Sequence, residues 1–213
     1  MPKRPSRPSP ARAAEKGAAE EILLAASELF HRAGFDGARA DDIALAAGIS
    51  KPTLYKRFAS KMEILQAISE KHHRDLDLRA REIAEGSGAG LEKLEALFKA
   101  HFRHTVEHRF DFQVLQSEAR RLPDRRAIDR YADEYMRLLR AQIRAVLGEA
   151  ASAGAVELVA RSFLALVNWP GFWFRPQAGE LTLQEACDGA WALFEGGFRA
   201  AASRQTKMRR DTT

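Results

Sequence analysis

The chain has 213 residues, 46% of them hydrophobic and 30% charged, which are ordinary proportions for a globular protein able to bury a substantial core. Its net charge of +5 is compatible with an anionic partner without demanding one. No run approaches the roughly eighteen apolar residues of a membrane-spanning helix, Met1-Pro2-Lys3-Arg4-Pro5 leads into no apolar signal core, and a lone Cys187 excludes an internal disulfide, so a reducing cytoplasm and no membrane partner are expected.

Residues 1–17 hold four prolines and five basic side chains. They cannot bury enough surface to offset the entropy of ordering, and the expectation is a flexible basic arm. The charge is concentrated at the front: through Lys61 there are eleven Lys or Arg against seven Asp or Glu, four of the five net charges. Helical periodicity begins with Ile22, Ala26, Leu29, Phe30 and Ala33, spaced three and four apart, and Gly34 stops the helix where positive φ is usual.

Between Arg39 and Phe58 the pattern gives two short helices and a tight turn. Ile43, Ala44 and Ala47 form the buried side of the first, and Gly48 permits the reversal that Ile49 plugs. Ser50 can cap the second helix, Pro52 is tolerated in its first turn, and Leu54 and Phe58 point inward. A short helix with small or polar residues at its start suits the major groove, whose base edges its first turn reaches. Lys51, Pro52, Tyr55 and Lys56 are expected nearest the bases, with Thr53, Arg57 and Lys61 on phosphates and Ser50 at the cap.

The string Gly34-Phe35, Asp42-Ile43-Ala44, Ala46 through Tyr55, Phe58 and Ser60-Lys61 closely resembles the N-terminal domain of the tetracycline-repressor (TetR) family over residues 18–66. The resemblance implies an all-α homodimer of about nine helices. Three helices over 18–62 would form the DNA-binding domain, and 63–203 would form a ligand-binding and dimerisation domain, with 204–213 a basic tail. It further implies a repressor released from a palindromic operator by a small molecule. Two positions depart from the pattern. Ala38-Arg39 stands where the family carries a hydroxyl cap, so that Arg39 is expected to replace its phosphate contact. Asp41 stands where relatives often carry a base, and an acid there repels phosphate.

Ser60-Lys61-Met62-Glu63 and Thr182-Leu183-Gln184-Glu185 read as capping boxes, opening helices over about 61–84 and 182–202. Between them helices are expected over about 91–108, 110–121 and 124–147. Gly154 should turn the chain into another helix, which Pro170 ends or kinks. The segment Asn168–Pro176 is rich in aromatics, and with Gly179 and Leu181 it resembles a TetR subgroup that answers to acyl-CoA thioesters. An apolar or acyl-CoA effector would then be lined by Phe98, His101, Phe102 and Phe112, with Gln116, Trp169 and Trp173. Ala186, Gly189, Ala190 and Gly197, with Leu193, Phe194 and Phe163, are the face that the resemblance assigns to the dimer contact.

His101, His104 and His108 share a helical face, which leaves a metal-responsive regulator or a metal-dependent helical enzyme as alternatives. Release of DNA by a partner protein is another. No nucleophile–base–acid set, phosphate loop or dinucleotide fingerprint is present in the sequence. No enzyme activity, catalytic residue, metal or cofactor is therefore expected.

Overall fold

The structure is a computed structural model that describes residues 10–175 and 181–210, with side chains described over 17–175 and 181–199. Among the described residues it is all-helical and contains no strand. In chain order the helices are α1 (Pro10–Gly37), α2 (Ala40–Ala46), α3 (Lys51–Arg57), α4 (Lys61–Glu85) and α5 (Leu91–Glu107). There follow α6 (Arg109–Glu118) with a 3-10 turn over Ala119–Arg121, α7 (Arg126–Leu147), α8 (Ala153–Asn168), the single turn α9 (Pro170–Trp173) and α10 (Leu183–Arg210). No helix of the described residues is long and apolar enough to cross a membrane.

The chain divides into two compact units, and the division falls within α4 and α6. One unit runs as far as Lys71 and includes Gln113–Asp124; the other comprises His72–Phe112 and the chain from Arg125 onward. A boundary at 62/63 was the expectation, but α4 continues unbroken through it.

In the first unit α1 packs on α2 and α2 on α3. Ile22, Ala26, Phe30, Ile43, Ala44, Leu54, Ile64 and Leu65 are buried. Gly34 adopts φ 72 and ψ 164, where a side chain would be strained, and so breaks α1 before its last residues. Arg121 donates both guanidinium arms to Asp36, at 3.2 and 2.8 Å, and its guanidinium lies over the Phe35 ring. These contacts explain why Gln113–Asp124 belongs to this unit.

The second unit is built around α5, which packs on α7, α8 and α10. Phe98 is fully buried at its centre, edge-on to Phe163 at 5.3 Å and stacked on Phe194 at 5.5 Å between ring centres. Phe102, Leu139, Ile143, Ala160, Cys187 and Trp191 complete this core. At Gly171 the backbone runs so close to α5 and α6 that a Cβ there would meet Thr105 Cγ2 at 2.8 Å and Phe112 Cδ1 at 2.7 Å.

Several helix limits differ from the sequence reading. Helix α1 starts at Pro10, within the segment expected to be a flexible arm; Pro fits a first helical turn and Ala13, Ala14, Glu15, Lys16, Ala18 and Ala19 favour helix. Residues 1–9 lie outside the described residues. Helix α10 continues to Arg210, through most of the expected tail, and 211–213 are again outside. Gly154 lies inside α8. Ser152 starts that helix instead, accepting the Ala155 amide at 3.1 Å, while Gly148, with φ 85, ends α7. Pro170 does interrupt α8, which ends at Asn168; Pro176 and Gly179 lie outside the described residues.

Candidate functional site

The turn between α2 and α3 has the geometry its sequence requires. Gly48 takes φ 65, and the Ile49 amide donates to Ala44 O at 2.9 Å. Ser50 caps α3: its Oγ accepts the Thr53 amide at 3.3 Å and shares a hydrogen bond with Thr53 Oγ1 at 2.8 Å. Leu54 is buried and anchors the helix, and Phe58 is half-buried behind it. Lys51, Pro52, Thr53, Tyr55 and Lys56 remain exposed, and Arg57 is half-buried. The outward face of α3 is therefore free of core duties and available to a ligand as long as a groove.

Two residues behave differently from expectation. Lys61 was expected on a phosphate, but its ammonium donates to Phe35 O at 2.8 Å, Asp36 O at 3.3 Å and Ala38 O at 2.7 Å, and lies 5.0 Å from the Phe35 ring centre. An ammonium has three donors, so Lys61 is spent in closing the end of α1 and has none left for DNA. Asp41 was expected to repel phosphate. Its Oδ1 instead lies 2.7 Å from Lys51 Nζ, joining the first turns of α2 and α3. The Lys51 hydrogen bond holds the Asp41 carboxyl below its ordinary range, and the same contact raises the Lys51 ammonium above its own. Arg39 precedes α2 in extended conformation with no side-chain cap and is exposed, as its residue type implied. The Asp41–Lys51 contact spans ten residues across the turn, and no periodicity signals it.

In the second unit a cleft of about 710 Å³ opens along α4, α5 and α7. Leu76, Ala80, Ile83 and Leu97 give it apolar walls, Arg79, Lys99 and Arg103 supply cations, and Asp75, Glu82 and Glu107 supply carboxylates. Lys99 is held by Glu95 at 2.8 Å and Asp188 at 2.6 Å, Arg79 by Glu82 at 2.9 Å, and Arg103 donates to Gln184 at 2.7 Å. His101 and Tyr135 also line the cleft, with His101 Nδ1 2.7 Å from the Tyr135 hydroxyl. Burial lowers His101 to about 4, against the weaker opposing effect of a hydrogen bond with Asn168.

The expected effector set is not brought together. Of its seven residues only His101 lines this cleft. Phe98 and Phe102 are core, Phe112 packs against Phe172 at 5.2 Å, and Trp169 and Trp173 are exposed. Gln116 is exposed and belongs to the other compact unit. Aromatic type alone did not separate a core ring from a lining one.

Nor do the three histidines converge. His101 turns to Tyr135, whereas His104 Nε2 is 3.3 Å from His72 Nδ1 and its ring packs on His108 at 4.6 Å. Burial and the surrounding imidazoles hold His72 well below the ordinary histidine range. Among the described residues no group of three His, Cys, Asp or Glu is placed to hold a metal ion. On α10, Gly189, Leu193 and Gly197 face outward, and an added Cβ at either glycine meets nothing within 4 Å. Ala186, Phe194 and the α8 residue Phe163 point into the core instead, and Ala190 is half-buried.

Residues 22–68 match the bacterial regulatory proteins of the tetR family, and residues 87–198 match a tetracyclin repressor-like C-terminal domain. The chain is 30% identical over 185 residues to the HTH-type transcriptional repressor KstR2 of Mycobacterium tuberculosis, covering 84% of this chain and 91% of that one. The HTH-type transcriptional activator FasR of Mycolicibacterium smegmatis is 36% identical over 88 residues, 41% of this chain and 40% of the activator. Among solved structures, the ketosteroid transcriptional regulator KstR2 of Mycobacterium tuberculosis superposes with TM-score 0.71 at 27% identity, covering 84% of this chain and 93% of that one. The TetR family transcriptional regulator PfmR of Thermus thermophilus superposes with TM-score 0.69 at 28% identity, covering 84% and 97%. With a capped, outward-facing α3 on one unit and both halves of the family matched, the chain belongs to the TetR family and is a DNA-binding transcriptional regulator.

Proposed function

We propose that this regulator is a homodimeric repressor that leaves a palindromic operator when a small apolar or acyl-CoA-type molecule occupies the cleft along α4, α5 and α7. The observation that carries the reading is the cleft itself. Its volume of about 710 Å³ falls in the range of small-molecule sites, roughly 300–1,000 Å³, and it lies in the unit that does not contain α3. Apolar walls suit a molecule with an apolar body, and Arg103, hydrogen-bonded to the neutral Gln184 amide, is the lining cation offered to an anionic end, since Arg79 and Lys99 are already paired with carboxylates. A relative, KstR2, is named a ketosteroid transcriptional regulator, which is in keeping with an apolar molecule in this family.

Outward Gly189 and Gly197 support the dimer, because small residues let a second copy of α10 approach closely, and the exposed Leu193 beside them is apolar surface for it to cover. A palindromic operator asks two copies of α3 to meet it about one DNA turn apart, roughly 34–36 Å, which a dimer can supply. In this assignment Arg39, Thr53 and Arg57 hold phosphates, and Lys51, Pro52, Tyr55 and Lys56 face the bases, while Ser50 keeps the helix start in shape.

The test is release of bound operator by palmitoyl-CoA, with Ala96→Trp as the control. Ala96 lines the cleft from an exposed position, so an indole there fills the site without disturbing the core. The expected result is release from the unaltered protein, and at least ten-fold weaker release from the variant at equal operator affinity. Release by palmitoyl-CoA that Ala96→Trp leaves untouched would contradict the cleft, and no release would contradict the acyl-CoA class.

A further inference from the structure

Asp41 and Lys51 present a hydrogen-bond acceptor and donor side by side at the edge of the reading helix. Lys51 is the first residue of α3 and Asp41 the second of α2; both side chains are about half exposed, at 52% and 51%. Each retains capacity beyond the mutual contact, since an ammonium carries three donors and a carboxylate about four acceptor sites.

A Watson–Crick pair offers the matching couple in the major groove. Guanine O6 and cytosine N4 are hydrogen-bonded to each other at about 2.9 Å, close to the separation of the Lys51 and Asp41 atoms, 2.7 Å. With guanine towards Lys51, the ammonium meets two acceptors, O6 and N7, and the carboxylate meets the N4 donor. Reversal sets the ammonium against an amino group and the carboxylate against O6, so both contacts become repulsive. A T·A pair with thymine towards Lys51 keeps one good contact at each atom. It also sets the carboxylate beside adenine N7, a second acceptor, and is second best. Adenine towards Lys51 sets its amino group against the ammonium and fails.

We propose that Asp41 and Lys51 act together as a paired reader of one oriented G·C base pair in each half-site, with guanine on the lysine side. The proposal rests on α3 being the DNA-reading helix. It gives Asp41 a positive role in specificity and changes Lys51 from an independent cation into half of a couple. The pair is internally neutral, so it adds selectivity without adding to the charge that binds every sequence alike.

Selection from a randomised duplex library with the full-length protein tests this, using the unaltered chain, Asp41→Ala and Lys51→Met, each checked for an unchanged melting temperature. The expected result is one position per half-site where oriented G·C is preferred about ten-fold. Both variants lose that preference and keep those at other positions. If Asp41→Ala keeps every preference, the carboxylate reads nothing and the proposal is overturned. It is equally overturned if Asp41→Ala binds all sequences more tightly, with the salt slope steeper by about 0.9 and no position released, because Asp41 would then only screen Lys51. If the unaltered protein enriches no sequence, α3 as reader falls and the proposal with it.

Discussion

Ser50 and Gly48 act within a few residues of their own positions, and both were legible in the sequence. A hydroxyl before an apolar-periodic segment has a local acceptor role, and a glycine at a reversal has a local conformational one. Lys61 and Asp41 were not legible. Their partners lie twenty-three to twenty-six and ten residues away, and charge type gives no clue to which distant atom satisfies it. The same holds for His101, whose hydroxyl partner is 34 residues distant. Its burial has a measurable consequence. In the folded chain His101 titrates near 4, against 6.5 when exposed, so between those values the unfolded chain binds more protons. Stability is therefore fully present above pH 6.5 and falls as the pH drops towards 4, by at most about 3 kcal/mol from this group. Melting temperatures at pH 7.5 and 5 should show that fall, and His101→Gln should make it shallower. An unchanged pH dependence in the variant would contradict a neutral buried imidazole.

At the scale of elements, the helices were legible because their apolar spacing and caps repeat along the chain. The Thr182 box forms in full: Glu185 Oε2 accepts the Thr182 amide at 2.8 Å, and Thr182 Oγ1 accepts the Glu185 amide at 3.2 Å. The Ser60 box is half of one, since Glu63 reaches the Ala59 amide instead of that of Ser60. The start of α1 was missed because four prolines and five cations in one segment outweighed the helix-forming run that follows Pro10. Pro170 gave the break after α8 but not its purpose. Only the folded chain shows that the break delivers Gly171 against Thr105 and Phe112, where there is no room for a Cβ. Gly171→Ala must push apart buried groups with little freedom to move, and such overpacking costs about 1–3 kcal/mol. Thermal unfolding should detect a drop of several degrees, and an unchanged midpoint would mean that this approach is looser than the structure has it.

For the whole molecule, the DNA-reading half was far more legible than the half that holds the cleft. A reader must meet the fixed geometry of the groove, and that restricts residue type and spacing through Gly48, Ser50, Pro52 and Tyr55. A cleft has no such template. Its lining comes from three helices, and the aromatics that looked suited to it went to the core, as Phe98 and Phe102 did, or to the surface, as Trp169 and Trp173 did. The outer face of α10 was half legible, because small residues serve a core and an interface equally well. That α3 reads DNA is tested by the operator affinity of Tyr55→Ala at fixed salt, beside the unaltered protein. Tyr55 is 47% exposed and takes no part in the core, so the variant should keep its melting temperature and its oligomeric state. At least a ten-fold loss of operator affinity is expected, together with a weaker preference over unrelated DNA. Operator affinity and preference both unchanged in a folded variant would contradict that role for α3.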